Sequence, residues 1–354
     1  MAKLDKLLLN MSETGASDLH IVVGQKPKYR IDGEVVVQQE YPVMDEKAVA
    51  EHLFEIMSEP QRDRYLSNLD FDFAYGLGNK FRYRCNYFHQ RTGYGAVFRI
   101  IPSDVLSFEE LNLPPVLMHF TSLRSGLVLV TGPTGSGKST TLAAMINHIN
   151  ENQRRHILTI EDPVEFVHQN KKSIISHREV GPHTKSFANA LRSVTRQDAD
   201  VVLVGEMRDL ETIALALSAA AMGTLVYATL HTNSAPKTID RIIDVFPTEQ
   251  QAQARAMLAE SLRGIVAQQL LKKKVGKGRV AVNEILVGNR AVSSIIREGR
   301  TEALLSILQS SRGEGMQAMD DALEALVQDD VISGEDAYMK AVSKKQFEKY
   351  MPEY

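Results

Sequence analysis

The residues best suited to chemistry form one glycine-rich run near the middle of the chain. The run is Gly132-Pro133-Thr134-Gly135-Ser136-Gly137-Lys138-Ser139-Thr140. Its two outer glycines, followed by lysine and serine, have the spacing of a phosphate-binding loop. In such a loop the backbone N–H groups and a helix dipole point at phosphate oxygens, the lysine approaches the β- and γ-phosphates, and the serine hydroxyl ligates Mg²⁺. The nine residues therefore predict binding of a nucleoside triphosphate with Mg²⁺.

The elements on either side of this run are those that a phosphate loop needs. Residues 126–131 are a short apolar stretch typical of a buried strand, and residues 140–146 have the composition and spacing of a helix. A chance match in a glycine-containing turn is the alternative interpretation. The order of strand, turn and helix favours the phosphate loop.

An acidic residue follows a second apolar stretch. Residues 201–204 are all apolar, and Glu206 comes two positions later. Four apolar residues in a row are typical of a buried parallel strand, whose carboxyl end lies beside the phosphate loop in such sheets. We therefore expect Glu206 to hold the Mg²⁺ shell or to polarise a water molecule.

The segment from Glu161 to Glu165 places three carboxylates in five residues after another apolar stretch. A polar strand end with a turn at Pro163 would explain them structurally. Transfer of a γ-phosphoryl group needs a positioned water, so we favour a catalytic base, with Glu165 as the first choice and Glu161 as the second.

His231 also follows an apolar stretch, and two interpretations stay open for it: a packed or capping histidine, and a sensor of the γ-phosphate.

Composition limits the class of protein. The chain has 354 residues, 44% of them hydrophobic and 24% charged, which indicates a globular protein of two domains. The net charge of −3, with both signs mixed along the chain, argues against nucleic acid as a partner. With Cys85 as the single cysteine, no intrachain disulfide is expected. The N-terminus does not resemble a secretory signal, so a cytoplasmic location is expected.

Hydrophobic periodicity divides the chain into two domains with a linker. We expect a small α+β domain over 1–101 and a linker over 102–115, which is rich in proline. The first domain is predicted to contain an amphipathic helix over 4–14, short strands between 18 and 37, a helix over 43–66 with Asp45 near its cap, and strands at 70–75, 80–89 and 95–101.

The second domain, residues 116–354, alternates strands and helices as a parallel sheet does. Its predicted strands are 127–131, 156–161, 201–204, 225–229 and 279–286. Two stretches rich in alanine and leucine predict C-terminal helices over 290–310 and 316–342. The fold class predicted for the whole chain is therefore α/β.

Several segments, in this order, resemble the type II/IV secretion ATPases and, within that family, the PilT-type ATPases that retract type IV pili. Besides the phosphate loop, the matching stretches are GASDLH at 15–20, TIEDPVEFVH at 159–168, VGEMRD at 204–209, LHTNSA at 230–235 and TIDRIIDVFP at 238–247. The resemblance extends from residue 4 to about residue 340.

This resemblance implies a fold and an assembly. It implies a PAS-like α+β N-terminal domain and a RecA-like ATPase core with a C-terminal helical segment, assembled as a homohexamer with ATP and Mg²⁺ between the domains. In the family, arginines of the N-terminal domain approach the phosphates, and Arg84 and Arg99 are the matching candidates here.

The function implied is ATP-driven rotation of an inner-membrane platform protein that removes pilin from the pilus base during twitching motility. The chain would then act in the cytoplasm at the inner face of the inner membrane, held there through its partners, and a paralogous pilus ATPase is a further expected partner. An assembly-type secretion ATPase is disfavoured, because those carry a longer N-terminal region and a four-cysteine metal site.

Two departures from the family pattern keep alternatives open. Ala221-Met222-Gly223-Thr224 stands where the family has Glu-Thr-Gly-His, from which we expect weakened sensing of the γ-phosphate. Ser293 replaces the first arginine of a C-terminal motif linked to retraction. The alternatives are an accessory retraction ATPase of the PilU type and a nucleotide-gated scaffold subunit with weak hydrolysis.

Overall fold

The computed structural model describes residues 2–31, 33–78, 81–101, 105–276 and 278–351. Within them the chain divides into two compact units. Unit 1 comprises the described residues of Met1–Asp104 and the short segment Pro163–Val167, and unit 2 comprises those of Val105–Asp162 and His168–Tyr354. Residues 102–104 of the predicted linker and the last three residues of the predicted second domain lie outside the described residues.

Unit 1 is an antiparallel sheet with three helices. The strands lie in the order β3-β2-β1-β6-β5-β4. Their bounds are β1 Asp18–Val22, β2 Lys28–Ile31, β3 Glu34–Val37, β4 Asp70–Leu77, β5 Phe81–Gln90 and β6 Gly93–Ile101. The helices are α1 Lys3–Glu13, α2 Glu46–Phe54 and α3 Glu59–Asn68. The apolar stripe of α1 (Leu4, Leu7, Leu8 and Met11) is buried, as its helical spacing predicts.

The predicted single helix over 43–66 is wrong, because the structure has two helices there. Asp45 caps the first of them by accepting a hydrogen bond from the Ala48 N–H at 2.8 Å. Ser58 is the N-cap residue of the second, where its N–H donates to the Gln61 side chain, and Pro60 lies in the first turn. Proline has no N–H to donate and clashes with the preceding turn of a helix, so it is tolerated at a helix start and not in the interior.

Unit 2 is a sheet of seven strands covered by helices. The strand order is β13-β12-β7-β11-β10-β8-β9. The strands are β7 Gly126–Thr131, β8 His156–Glu161, β9 Ile174–Glu179, β10 Val201–Val204, β11 Leu225–Leu230, β12 Leu262–Lys272 and β13 Arg279–Val287. The helices up to β12 are α4 Pro115–Ser122, α5 Lys138–Asn152, α6 Phe187–Leu191, α7 Leu210–Ala221, α8 Ala235–Asp244 and α9 Thr248–Ser261.

The C-terminal part of unit 2 is a series of short helices. They are α10 Arg290–Glu298, α11 Leu304–Ser310, α12 Met319–Gln328 and α13 Gly334–Lys340. The predicted helical stretches 290–310 and 316–342 are therefore present, each divided into more than one helix. Gly299 ends α10 with a left-handed backbone (φ 69°), and Asp330 has φ 56° just after α12. A left-handed residue cannot continue a right-handed helix, so each stretch breaks there.

The predicted strands of unit 2 are all present, but the sheet contains two more and is not wholly parallel. Strands β9 and β12 were not predicted, and β13 runs antiparallel to β12. Strand β9 is an edge strand with serine, histidine and arginine in it, and β12 follows α9 with no intervening turn residue. Neither has the bounded apolar run that identifies a buried strand in a sequence.

Six neighbouring strands of this sheet, β12, β7, β11, β10, β8 and β9, are parallel. Their carboxyl ends therefore lie along one edge, which is where open α/β sheets bind their ligands. Across the part of the chain that the structure describes, no helix combines the length and the apolar character needed to cross a membrane.

Candidate functional site

The glycine-rich run forms a tight loop between β7 and α5. Gly132 has φ 146° and Gly137 has φ 85°, both in the region that favours glycine. A Cβ atom on Gly132 would lie 2.2 Å from the backbone oxygen of Gln268, closer than any real contact. The loop thus needs glycine at this position for two reasons, its backbone angle and the close approach of β12.

The loop presents positive charge and hydrogen-bond donors at the start of α5. The Lys138 side chain is buried, and its Nζ donates to the Gly132 carbonyl at 2.9 Å and to the Pro133 carbonyl at 3.1 Å. Helix α5 begins at Lys138, so its first N–H groups have no partner within the helix. The buried Ser136 Oγ has no hydrogen-bond partner among the described residues. Such a set of donors fits the phosphate groups of a nucleotide.

The predicted site residues of unit 2 lie at neighbouring strand ends. Strands β7, β11, β10 and β8 are consecutive in the sheet. Their carboxyl ends lead respectively into the phosphate loop, His231, Glu206 and Glu161. In the register of the sheet, Thr131 pairs with Leu230. The structure therefore brings these residues to one edge of one sheet.

Glu206 is held between two basic side chains. Its Oε2 accepts a hydrogen bond from Arg208 Nη2 at 2.6 Å, and its Oε1 lies 3.0 Å from His231 Nε2. Burial by itself raises the pKa of Glu206, but the hydrogen bond and charge of Arg208, with His231, outweigh burial and hold that pKa below its usual value. Glu206 is therefore ionised at neutral pH, as a Mg²⁺ ligand must be.

The structure argues against one interpretation of His231, that of a packed side chain. Its side chain is exposed and contacts the Glu206 carboxylate, so it is not a packed core residue. It thus links the end of β11 to the end of β10 at the edge where phosphate is expected, and its role as a sensor stays a prediction. Arg208 was not predicted, although its position two residues after Glu206 in a loop could have suggested the pairing.

The two candidate bases lie in different compact units. Glu161 is buried at the end of β8 and packs beside β10, where a Cβ atom on Gly205 would be only 3.3 Å from its Cα. Glu165 is exposed in the five-residue segment that belongs to unit 1. The choice of Glu165 over Glu161 remains a prediction.

Arg84 and Arg99 lie side by side on neighbouring strands of unit 1, and each is paired with an acid. Arg84 Nη2 is 2.5 Å from Asp72 Oδ2, and Arg99 Nε donates to Asp18 Oδ1 at 2.8 Å. Asp18 is buried, whereas the Arg99 side chain is 67% exposed. Asp18 holds the Nε of Arg99, and the rest of this exposed guanidinium can present positive charge to a phosphate.

The altered residues 221–224 lie far from this site. Thr224 precedes the amino end of β11, and its carbonyl accepts from the N–H of Gly126, the first residue of β7. The phosphate loop follows the opposite end of β7, about 20 Å away at 3.3 Å per residue. Within one chain, residues 221–224 therefore lie at the opposite end of β7 from the phosphate loop, and the expectation that they weaken sensing of the γ-phosphate stays a prediction. Ser293, the other departure, donates from its hydroxyl to the Ala259 carbonyl at 2.7 Å and so ties α10 to α9.

His168, in the segment that follows β8, stacks on His177 of β9. The rings of His168 and His177 stack with their centroids 6.0 Å apart, and His177 Nδ1 is 2.9 Å from the Thr159 hydroxyl. Burial, with smaller contributions from the charges of His177 and Lys171, lowers the pKa of His168 to about 4. The folded protein thus holds His168 in its neutral form.

This shift predicts an acid-dependent loss of stability. An unfolded chain binds a proton at His168 below pH 6.5, and the folded chain does so only near pH 4, so the free energy of unfolding falls as pH drops through that window. The loss due to His168 is up to about 3 kcal/mol. Urea unfolding of unit 2 from pH 7 to pH 4 should show a smaller loss for His168→Gln than for the unmodified chain. The exposed His119→Gln variant should behave like the unmodified chain, and equal losses in all three would contradict the shift.

Comparison with known proteins adds four findings. A family model described as "Type II/IV secretion system protein" matches residues 1–339. The chain is 48% identical, over 97% of its length and 99% of the relative, to the type IV pilus retraction ATPase PilT of Pseudomonas aeruginosa. It is 39% identical, over 96% of its length and 89% of the relative, to the type IV pilus ATPase PilU of the same organism. The fold is similar to a crystal structure of the pilus retraction motor PilT with bound ADP, with a TM-score of 0.91, 42% identity and 99% of each chain covered.

Proposed function

The chain belongs to the type II/IV secretion system protein family, and we propose that it is a hexameric ATP-hydrolysing motor that powers the retraction of type IV pili. The observation that carries the proposal is the phosphate loop beside ionised Glu206 and His231 at one sheet edge, in a chain similar over nearly its whole length to PilT. The greater identity to PilT than to PilU favours a principal retraction motor.

Binding of ATP follows from the phosphate loop. The Lys138 ammonium, which now donates to the carbonyls of its own loop, exchanges those partners for the β- and γ-phosphate oxygens. The first N–H groups of α5 bind the same phosphates. Ser139 and Glu206 would hold Mg²⁺, which supplies positive charge that offsets the charge developing on the transferred phosphoryl group.

Hydrolysis requires a base that orients the attacking water. Glu165 is proposed for that role, with Glu161 as the second candidate. His231 contacts the Glu206 carboxylate directly, so a change in the charge at the γ-phosphate would alter this contact and move the loop that begins α8. We propose that this is how the chemical state of the nucleotide reaches the rest of unit 2.

Assembly as a ring gives the arginines of unit 1 a role. We propose that Arg84 and Arg99 approach the phosphates only in the hexamer and stabilise the transition state as arginine fingers do. In this scheme the residues 1–101 form the PAS-like domain and residues 116–354 the ATPase domain. The ring would act at the cytoplasmic face of the inner membrane and turn the platform protein from which pilin is removed.

The proposed role of Arg99 predicts a lower kcat when this arginine is removed. Arg99→Ala should lower kcat by about tenfold or more, since a single charged contact to the transition state contributes at least this much. Arg91→Ala, which removes an exposed arginine in the turn between β5 and β6, should keep kcat within about twofold. Equal kcat values for the Arg99→Ala variant and the unmodified chain would remove Arg99 from the site.

Steady-state ATPase activity, recorded with the oligomer mass in the same samples, tests the proposal as a whole. We expect hexamers, and a specific activity that rises with protein concentration at the dilute end because each site is completed by assembly. Constant specific activity from a monomeric species would contradict the motor. Hexamers that bind ATP and barely hydrolyse it would support the scaffold alternative.

Ser293 supports one alternative within the class. It stands where the family carries an arginine linked to retraction, and its hydroxyl is bonded within the fold, to Ala259. An accessory ATPase of the PilU type, acting with a principal motor, is therefore the second candidate function. The two are distinguished by whether the chain supports retraction in cells that lack every other retraction ATPase.

A further inference from the structure

A buried glutamine of β12 contacts the phosphate loop with both ends of its amide. Gln268 Nε2 donates to the carbonyl oxygen of Ser136 at 2.7 Å, and its Oε1 accepts from the Thr141 hydroxyl at 2.8 Å. Gln268 is 2% exposed, and both hydrogen bonds are buried. The residue lies more than 120 positions after the loop in the chain, and no sequence pattern pointed to it.

The same residue lies against both glycines that shape the loop. Its backbone oxygen faces Gly132, where an added Cβ atom would be 2.2 Å away, and its Nε2 faces Gly137, where a Cβ atom would be 2.9 Å away. One residue therefore contacts the start of the loop, its last turn and the first helical turn of α5. The path of the loop backbone is fixed by β12 as well as by its own glycines.

The chemistry of the contacts requires a glutamine. The Ser136 carbonyl only accepts hydrogen bonds, so the NH₂ group must face it, and the amide oxygen then faces the Thr141 hydroxyl. A glutamate in its ionised form would place an oxygen against the Ser136 oxygen. An apolar side chain would leave a buried carbonyl and a buried hydroxyl without partners, which is costly.

We propose that Gln268 is a positioning residue for nucleotide binding: it holds the phosphate loop in the conformation in which its N–H groups face phosphate. This inference rests on the proposed function, because it takes the loop to be the ATP site. It adds that the affinity of the loop for nucleotide depends on β12, a strand that contributes no residue to the predicted chemistry.

The first test measures ADP binding by the full chain. The dissociation constant of a fluorescent ADP analogue should rise about tenfold or more in Gln268→Met, which keeps the volume of the side chain and removes both hydrogen bonds. Gln269→Met is the matched control, since neighbouring residues of a strand point to opposite faces of the sheet. The control should stay within about twofold of the unmodified chain.

The second test measures how the ADP affinity of Gln268→Glu depends on pH. A side chain that only fills space would not produce such a dependence. In Gln268→Glu, a protonated carboxyl group can donate to the Ser136 oxygen and accept from Thr141, whereas the carboxylate cannot donate. ADP affinity of this variant should therefore approach that of the unmodified chain at low pH and fall by about tenfold as pH rises from 5.5 to 9.5. The unmodified chain, measured at the same pH values, provides the baseline.

The outcomes separate the inference from the proposed function. If the unmodified chain does not bind ADP, the proposed function fails and the inference with it. If it binds ADP and both variants bind within twofold at every pH, only the inference is overturned. Should the methionine variant fail to fold, the glutamate variant decides, because its pH-dependent affinity is measured relative to the unmodified chain.

Discussion

Lys138→Ala is expected to abolish ATP hydrolysis, with kcat/KM reduced on the order of 1,000-fold. Lys138 is buried in the loop and donates to the carbonyls of Gly132 and Pro133, so its charge lies within the predicted phosphate site. A charge fixed in a site with little water stabilises the γ-phosphoryl transition state far more than a surface charge does. Alanine removes that charge and leaves the backbone donors of the loop in place.

The measurement is steady-state phosphate release by the purified full chain over a range of ATP concentrations. Lys171→Ala is the matched control, because Lys171 is a solvent-accessible lysine of the same unit that pairs with Glu151. The control should hydrolyse ATP within about twofold of the unmodified chain. Substantial turnover by Lys138→Ala would show that the phosphate loop is not the catalytic site.

Glu165→Gln is expected to lower kcat by about 100-fold or more while ATP still binds. Glutamine has nearly the same shape as glutamate, but it cannot take a proton from water, and a general base contributes about 10²- to 10⁴-fold. Glu161→Gln is the informative comparison, because Glu161 is the other acid proposed as the base. The larger loss of kcat identifies the base.

Binding and turnover must be measured together for this prediction. The dissociation constant for ATP of Glu165→Gln should stay within about threefold of the unmodified chain, which places the loss in the chemical step. A normal kcat for Glu165→Gln with a lost kcat for Glu161→Gln would reverse the assignment. Normal kcat in both variants would exclude this segment as the source of the base.

Local patterns were sufficient to predict the phosphate loop and the strands that support it. Residues 126–146 contain a strand, a glycine-rich turn and a helix in sequence, so their geometry depends on neighbours within about twenty residues. Glu206 could also be predicted, because an acid after an apolar strand needs only the parallel sheet to reach the loop. Each of these predictions rests on residues that lie close together in the sequence.

Contacts made across the sheet could not be predicted from the sequence. Gln268 lies two residues after Val266, which pairs with Val130 of β7, and only that register puts it against the loop. The same register shows that residues 221–224 lie at the other edge of the sheet, although they are only seven positions before His231. Proximity along the chain is misleading when a whole strand separates two segments.

Helix boundaries were the other source of error. The helical composition over 43–66 continues through a break, because Ser58 and Pro60 begin a new helix there. A hydrophobic pattern records which face is buried and not whether the backbone is continuous. The residues that cap the helices, Asp45 and Ser58, mark the two helix starts.

Retraction of labelled pili in living cells is the most direct test of a retraction motor. Cells that lack their own retraction ATPases would receive this chain, with Lys138→Ala at equal expression as the control, and shortening events would be counted by time-lapse fluorescence. We expect pili to shorten repeatedly with the unmodified chain and to remain extended with the variant. Pili that remain extended with a chain that assembles and hydrolyses ATP normally would contradict the account.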